Sequence, residues 1–210
     1  MSKKSKKLQI RSDVIAIVIS FAMAALSFFT SPLIFASFYI FMGLLRLVIL
    51  VIDLILVRKG DSKETIFRKE RLICRIVGVV ILLMNSALIS VVLVSIFNKQ
   101  PNEFFLKYKW LAYGYIIYAI YKFVYATILL IKARNSFSPY KETVCYLSFI
   151  TGFSALINLE VLVAYIFDQK GSSIFRTIES VGASFIALVI FVLAIFMIVS
   201  RKVPKEIQNK

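Results

Sequence analysis

Histidine is absent from this 210-residue chain, and cysteine occurs at two positions, Cys74 and Cys145. Without histidine the chain cannot build a Ser-His or Cys-His nucleophilic site, a histidine metal site or a histidine-based pH switch. The two isolated cysteines give neither a disulfide framework nor a metal-binding spacing, and we interpret both as small apolar packing residues. Carboxylates do not pair at a catalytic spacing. The sequence therefore predicts a protein that is not an enzyme and has no metal site and no cofactor.

Acidic residues are scarce as well: 11 Asp and Glu stand against 26 Lys and Arg, for a net charge of +15. Almost all of the positive charge flanks long hydrophobic blocks. Charge in that position sets the orientation of a membrane protein and meets anionic lipid headgroups. We therefore expect the lipid bilayer, and no nucleic acid, as the partner of the basic segments.

Hydrophobic residues make up 60% of the chain, and the mean hydropathy is +0.86. Several blocks reach the length of a transmembrane helix, so the sequence predicts an all-α fold, a polytopic bundle of six transmembrane helices. Residues 1–12 form a basic N-terminus, 13–200 a single transmembrane domain and 201–210 a basic tail. The predicted helices cover about 14–30, 33–57, 72–97, 110–131, 143–167 and 180–200.

The first two helices come from residues 14–57, which carry two charges and are too long for one crossing. The turn signal at residues 30–32 divides them into a hairpin. A secretory signal peptide with a cleavage site near residues 22–24 is the alternative. The apolar block continues through that site without a break, which favours the hairpin.

Lys and Arg are distributed unevenly between the predicted loops. The N-terminus, the 58–71 and 132–142 loops and the tail carry 5, 6, 3 and 4 of them, 18 together, against 5 on the other side. The positive-inside rule then puts both termini in the cytoplasm of a multi-pass protein of the cell membrane.

Helices 3 and 5 share a Ser-Ala-Leu-Ile sequence, at residues 86–89 and 154–157. Similar apolar residues follow in each helix, and the segments after helices 2, 4 and 6 are each basic. This internal repeat predicts three tandem two-helix hairpins, related by a pseudo-threefold axis along the membrane normal.

Apart from Arg75 at the start of helix 3, four charged residues lie inside the predicted spans: Arg46, Asp53, Lys122 and Glu160. Each costs about 2.5–3.5 kcal/mol at the centre of a helix, so they must face protein or water. Asp53 is close to the end of helix 2, where it reaches water or Arg58. We expect Glu160 to pair with Lys122, with Arg46 or with both.

The polar face of helix 5 and the tyrosines of helix 4 complete a possible intramembrane site. Ser148, Thr151 and Asn158 line one side of helix 5, and Glu160 projects from the opposite side, so polar groups on both faces predict a central position for that helix. Two interpretations remain open: a polar cavity in which the cations hold an anionic or carboxylate ligand, or a buried ion pair that fixes the packing. The predicted ligand-binding residues are Arg46, Lys122, Glu160, Tyr118, Tyr125 and Asn158.

Helix 1 carries a ridge of small residues, Ala16, Ser20 and Ala24, at the spacing that lets another helix approach closely. The partner of this ridge is either internal or a second membrane protein; the basic loops are a second possible contact. Six helices in 210 residues, with both ends inside and such a ridge, resemble the substrate-binding subunits of energy-coupling-factor vitamin transporters. The resemblance is architectural and implies a solute-binding role beside a partner.

The sequence thus predicts a small multi-pass membrane protein that binds or transports a small solute, of the anionic or carboxylate class, through a polar intramembrane cavity. The alternative is a non-catalytic accessory, regulatory or immunity-type subunit whose buried charges are structural.

Overall fold

The computed structural model describes residues 3–30, 33–58, 62–97, 112–136, 138–167 and 173–199, and the side chains of most of them. No strand occurs among these residues, and the predicted all-α membrane bundle of six helices is confirmed. The helices are α1 (Lys3–Thr30), α2 (Leu33–Arg58), α3 (Lys63–Phe97), α4 (Ala112–Ser136), α5 (Pro139–Phe167) and α6 (Ser173–Ile198). The predicted 98–109 turn and the 201–210 tail lie outside the described residues.

Five segments of the described chain are long and apolar enough to cross a membrane: Ile10–Phe28, Ala36–Ile55, Tyr113–Ala133, Pro139–Leu159 and Val181–Ile198. A helix satisfies its own backbone hydrogen bonds, as a chain in lipid must. Large apolar side chains such as Ile117, Leu83 and Phe185 are exposed on the outer faces of the helices, where lipid would contact them. The predicted span at 72–97 forms the second part of α3.

The predicted loops are shorter than expected because the helices extend into them. Helix α3 begins at residue 63 rather than 72, and α5 at residue 139 rather than 143. Ser62 caps α3, since its Oγ accepts a hydrogen bond from the Thr65 N–H at 3.3 Å. Ser138 caps α5 in the same way, since its Oγ accepts from the Lys141 N–H at 3.5 Å, and Pro139 occupies the first helical position.

Helix α5 lies at the centre of the bundle, as predicted from its polar faces. In the α5 span 72% of the residues are buried, against 33–44% in the other four. It packs against α2, α3, α4 and α6, and its contact with α4 is the most extensive between described helices. Ser148, Thr151 and Asn158 are fully buried. Polar side chains on α5 are therefore surrounded by protein and can meet charged groups from the neighbouring helices.

The packing does not follow the predicted repeat. Helix α1 pairs with α2 and α5 contacts α6, but α3 packs chiefly on α6 and α4 on α5, and no substantial contact joins α3 to α4 among the described residues. Two physical reasons are visible. Gly78 lets α3 approach the Ala194 carbonyl of α6, and the Cys145 thiol of α5 donates to the Ala126 carbonyl of α4 at 3.3 Å. The second predicted hairpin is therefore not a packing unit.

The small-residue ridge of α1 is buried within the chain itself: Ala16 and Ser20 have no exposed surface and Ala24 almost none. Helix α1 packs mainly on α2. This packing agrees with an internal partner for the ridge. Contact with a second membrane protein stays a prediction.

One end of the bundle, here called the basic end, is where α2 ends at Arg58, α3 and α5 begin and α6 ends. Arg71 of α3 ties it together. Its Nη1 lies 3.2 Å from Oε2 of Glu142 on α5, and its Nη2 donates to the Val199 carbonyl after α6. These bonds fix the start of α3 against two other helices.

Candidate functional site

Lys122 lies near the middle of α4 and is fully buried. Its Nζ is 5.0 Å from the ring centre of Tyr118 and 5.6 Å from that of Tyr121, which is the geometry of a cation–π contact. Nζ has no hydrogen-bond partner among the described residues. This burial against two tyrosine rings agrees with the expectation that Lys122 faces protein or water rather than lipid.

Arg46 reaches into the same region from α2 and is 4% exposed. Its Nη2 donates to Ser148 Oγ on α5 at 2.6 Å, and that hydroxyl donates in turn to the Val144 carbonyl. Nε and Nη1 of Arg46 have no partner within the described part of the chain. Arg46 and Lys122 are close enough to repel each other. The site therefore holds two buried cations with three free donor groups between them.

Asp13 of α1 is the acidic residue that the sequence analysis missed. It is 5% exposed and accepts hydrogen bonds from Tyr140 at 2.7 Å and from Tyr125 at 3.1 Å. Arg46 is near enough to act on it electrostatically. The sequence does contain a pattern that indicates its burial: Asp13 precedes Ser20 by seven residues, two helical turns, and so shares the buried face of α1. Asp13 was not predicted as a site residue because it lies just before the apolar block rather than inside it.

The predicted site residues divide into two groups. Lys122, Tyr118, Arg46 and Tyr125 lie together with Asp13 in what we call the cation cluster. Asn158 lies apart from them. Its Nδ2 donates to Ser27 at 3.4 Å, and Ser27 also bonds to the hydroxyl of Tyr115. Asn158 is ten residues beyond Ser148 on α5, about 15 Å towards the opposite end of the bundle.

Glu160, the predicted partner of the cations, belongs to α5, but its side chain lies outside the described residues. Its pairing with Lys122 or Arg46 stays a prediction, and the experiments below include a variant of it.

A second polar group, here called the carboxyl pair, is formed by Asp53 of α2 and Glu70 of α3 at the basic end. The two carboxyl groups share a hydrogen bond and line a small pocket, with room for a water-sized molecule, together with Tyr140. The Tyr140 N–H donates to Glu70 Oε2 at 3.1 Å. Burial raises the pKa of Glu70 to about 7, and the charge of Asp53 adds to the rise. Sequence reasoning missed this pair because Glu70 stood in a predicted loop.

The two groups differ in what they can do chemically. The cation cluster offers donors to an anion, and an arginine with two free nitrogens suits a planar carboxylate. The carboxyl pair can hold a proton between its members. No set of three or more His, Cys, Asp or Glu side chains within the described residues could hold a metal ion.

Comparison with known proteins adds no relative: no family model, no curated protein and no solved structure matches this chain.

Proposed function

We propose that this membrane protein binds or transports a small anionic solute, with a carboxylate as the preferred group, at Arg46 and Lys122. One observation carries the proposal. Nζ of Lys122 and Nε and Nη1 of Arg46 are buried without hydrogen-bond partners among the described residues. A buried charge without a partner is costly, and a bound anion would remove that cost.

The chemistry of the cluster supports a carboxylate. Two parallel N–H groups of an arginine match the two oxygens of a carboxylate, and a nearby lysine adds a point charge. Asp13 acts electrostatically on Arg46, and its oxygens already accept from two tyrosine hydroxyls. The cluster keeps excess positive charge for a ligand.

The distribution of Lys and Arg supports a cytoplasmic position for the basic end. Both termini would then lie on the cytoplasmic side of a bacterial-type cell membrane. The solute would then approach the cations from the side of Asn158 and Tyr115 or leave past Asp13 towards the cytoplasm.

A non-catalytic accessory subunit is the second candidate. The complete burial of Lys122 favours it, because a group that only fixes helix packing needs no route to solvent. In this role Glu160 would neutralise Lys122, and the basic segments would contact a partner protein.

Thermal unfolding of the purified protein separates the two candidates. Both cysteines are reduced thiols and fully buried, so a thiol-reactive dye reports unfolding directly. Acetate, benzoate and glutamate are tested against sodium chloride at equal ionic strength. A ligand at a hundred times its Kd adds about 2.7 kcal/mol, which corresponds to roughly 5–10 °C in Tm.

Lys122→Met and Arg46→Met should abolish this stabilisation. Lys132→Met, at an exposed position of the same helix, should retain it. If no carboxylate raises Tm more than chloride does, or if the Lys122→Met protein responds like the wild type, the accessory role replaces solute binding.

A further inference from the structure

Tyr140 connects the carboxyl pair to the cation cluster at both of its ends. Its backbone N–H donates to Glu70 at 3.1 Å, and its hydroxyl donates to Asp13 at 2.7 Å. It also lines the pocket beside Asp53. A change in the protonation of Glu70 therefore affects Tyr140. Tyr140 in turn holds Asp13, which lies beside Arg46.

Helix α2 provides a second connection. Asp53 follows Arg46 by seven residues, which places the two on one face of α2, about 10 Å apart along its axis. Charges at that separation interact strongly where lipid and protein exclude water. The charge of the carboxyl pair therefore changes the electrostatic potential at the cation cluster, both along α2 and through Tyr140.

We propose that the carboxyl pair is a proton-binding site coupled to the cation cluster, so that the protein takes up a proton together with its anion. This inference rests on the function proposed above and adds the coupled ion. Glu70 is partly exposed at the basic end and can exchange protons with water.

The groups that face Glu70 set the direction of the effect. Asp53 faces it from α2, Lys141 and the Tyr140 and Ser138 groups face it from α5, and Arg71 follows it on α3. Arg71 is already engaged by Glu142 and the Val199 carbonyl. Lys141 is the cation that attracts Glu70, but it does not offset the burial of the carboxyl group and the repulsion by Asp53.

The sign of the coupling follows. Because burial raises the pKa of Glu70 to about 7, the pair holds a proton and one negative charge below that pH and carries two negative charges above it. The second charge repels an anion bound at Arg46. Anion affinity should therefore be high at pH 6 and fall as the pH rises through 7.

The test measures stabilisation by acetate, benzoate and glutamate at pH 6.0 and 8.5, where all three stay ionised, with intrinsic fluorescence as the readout. We expect the apparent affinity of wild type to fall about tenfold between the two values. Glu70→Gln keeps an acceptor for the Tyr140 N–H but cannot ionise, so its affinity should stay high at both pH values. Glu64→Gln, an exposed carboxyl of the same helix that pairs with Arg68, should behave like the wild type.

Three outcomes overturn the inference and differ in what else they reject. Carboxylate binding of equal strength at pH 6.0 and 8.5 rejects proton coupling and leaves the anion site standing. Absence of any carboxylate stabilisation at both values rejects the anion site and the coupling together. A loss of pH dependence in the Glu64→Gln variant would also overturn it, because the effect would then not be specific to the carboxyl pair.

Discussion

The cation cluster and the carboxyl pair are both formed by charges that helices bring inside the bundle, but the chain neutralises only one of them by itself. Glu70 accepts a hydrogen bond from the first turn of α5 and shares another with Asp53. Lys122 has two aromatic rings and no acceptor among the described residues. The carboxyl pair is complete as folded, whereas the cation cluster is complete only with something added.

The difference arises from the position of each group on its helix. The carboxyl pair, on α2 and α3, faces the start of α5, where backbone N–H groups can bond to an acid and the helix dipole favours negative charge. Lys122 lies in the interior of α4, where every neighbouring carbonyl is already used by the helix. A cation there has only side chains or a ligand to satisfy it.

The largest effect that would sharpen this comparison is expected from Lys122→Met in the absence of any ligand. Methionine is of similar length and apolar, so the variant removes a buried charge without opening a cavity. We expect the free energy of unfolding to rise by about 1–4 kcal/mol, as for buried charges replaced by apolar groups. Chemical or thermal unfolding measures it, with the exposed Lys132→Met as a control that should change little.

The opposite sign would break the comparison. If Glu160 neutralises Lys122, Lys122→Met leaves a buried carboxylate alone and stability falls by about 3–5 kcal/mol. Adding Glu160→Gln to that variant would then restore much of the loss. A fall with restoration assigns the cluster to packing, and a rise assigns it to a ligand.

The helices and the inward-facing charges could be predicted from the sequence because lipid requires both. The partners of those charges depend on packing and could not be predicted. Long apolar blocks fix the helices, and charges inside them must face inward, so Arg46 and Lys122 could be predicted from sequence alone. The partners of these charges could not. Tyr140 and Glu70 stood in predicted loops, and only the earlier starts of α3 and α5, set by Ser62 and Pro139, bring them to the site.

The packing of the described helices differs from the predicted hairpins for a related reason. Shared Ser-Ala-Leu-Ile sequences describe helices that tolerate close packing, but they do not say which neighbour each helix takes. Gly78 permits α3 to pack closely on α6, since a Cβ at that position would lie only 2.9 Å from the Ala194 carbonyl oxygen. Contacts of this kind decide topology and leave little trace in composition.

Asp13→Asn tests whether the one described acid of the cation cluster competes with a ligand. The substitution weakens two hydrogen bonds that tyrosines donate to a carboxylate, and we expect stability to fall by about 1–3 kcal/mol. Anion affinity should rise several-fold, because Arg46 loses a neighbouring negative charge. Isothermal titration with acetate or glutamate measures the second effect.

Tyr125→Phe is the matched control for that prediction. It removes one hydrogen bond to Asp13 and keeps the charge, so stability should fall and anion affinity should not rise as it does in Asp13→Asn. Weaker anion binding by Asp13→Asn would mean that Asp13 positions Arg46 for the ligand rather than competing with it.

The smallest effect is expected from Gly152→Ala, which separates the two regions by disturbing only the cation cluster. The new Cβ would lie 3.3 Å from Lys122 Cβ and from Phe123 Cζ, closer than ordinary contact, and a Cβ atom cannot move away without its backbone. Helix α4 must shift slightly from α5, which should lower the stability by about 1 kcal/mol.

Gly114→Ala is the control, because its Cβ would meet only the flexible end of Leu26 and alanine favours the helix. Unfolding measurements should show a loss of stability for Gly152→Ala and none for Gly114→Ala. The pH dependence that comes from the carboxyl pair should be intact in both variants. Equal losses in the two variants would mean that the α4–α5 contact does not determine the position of Lys122.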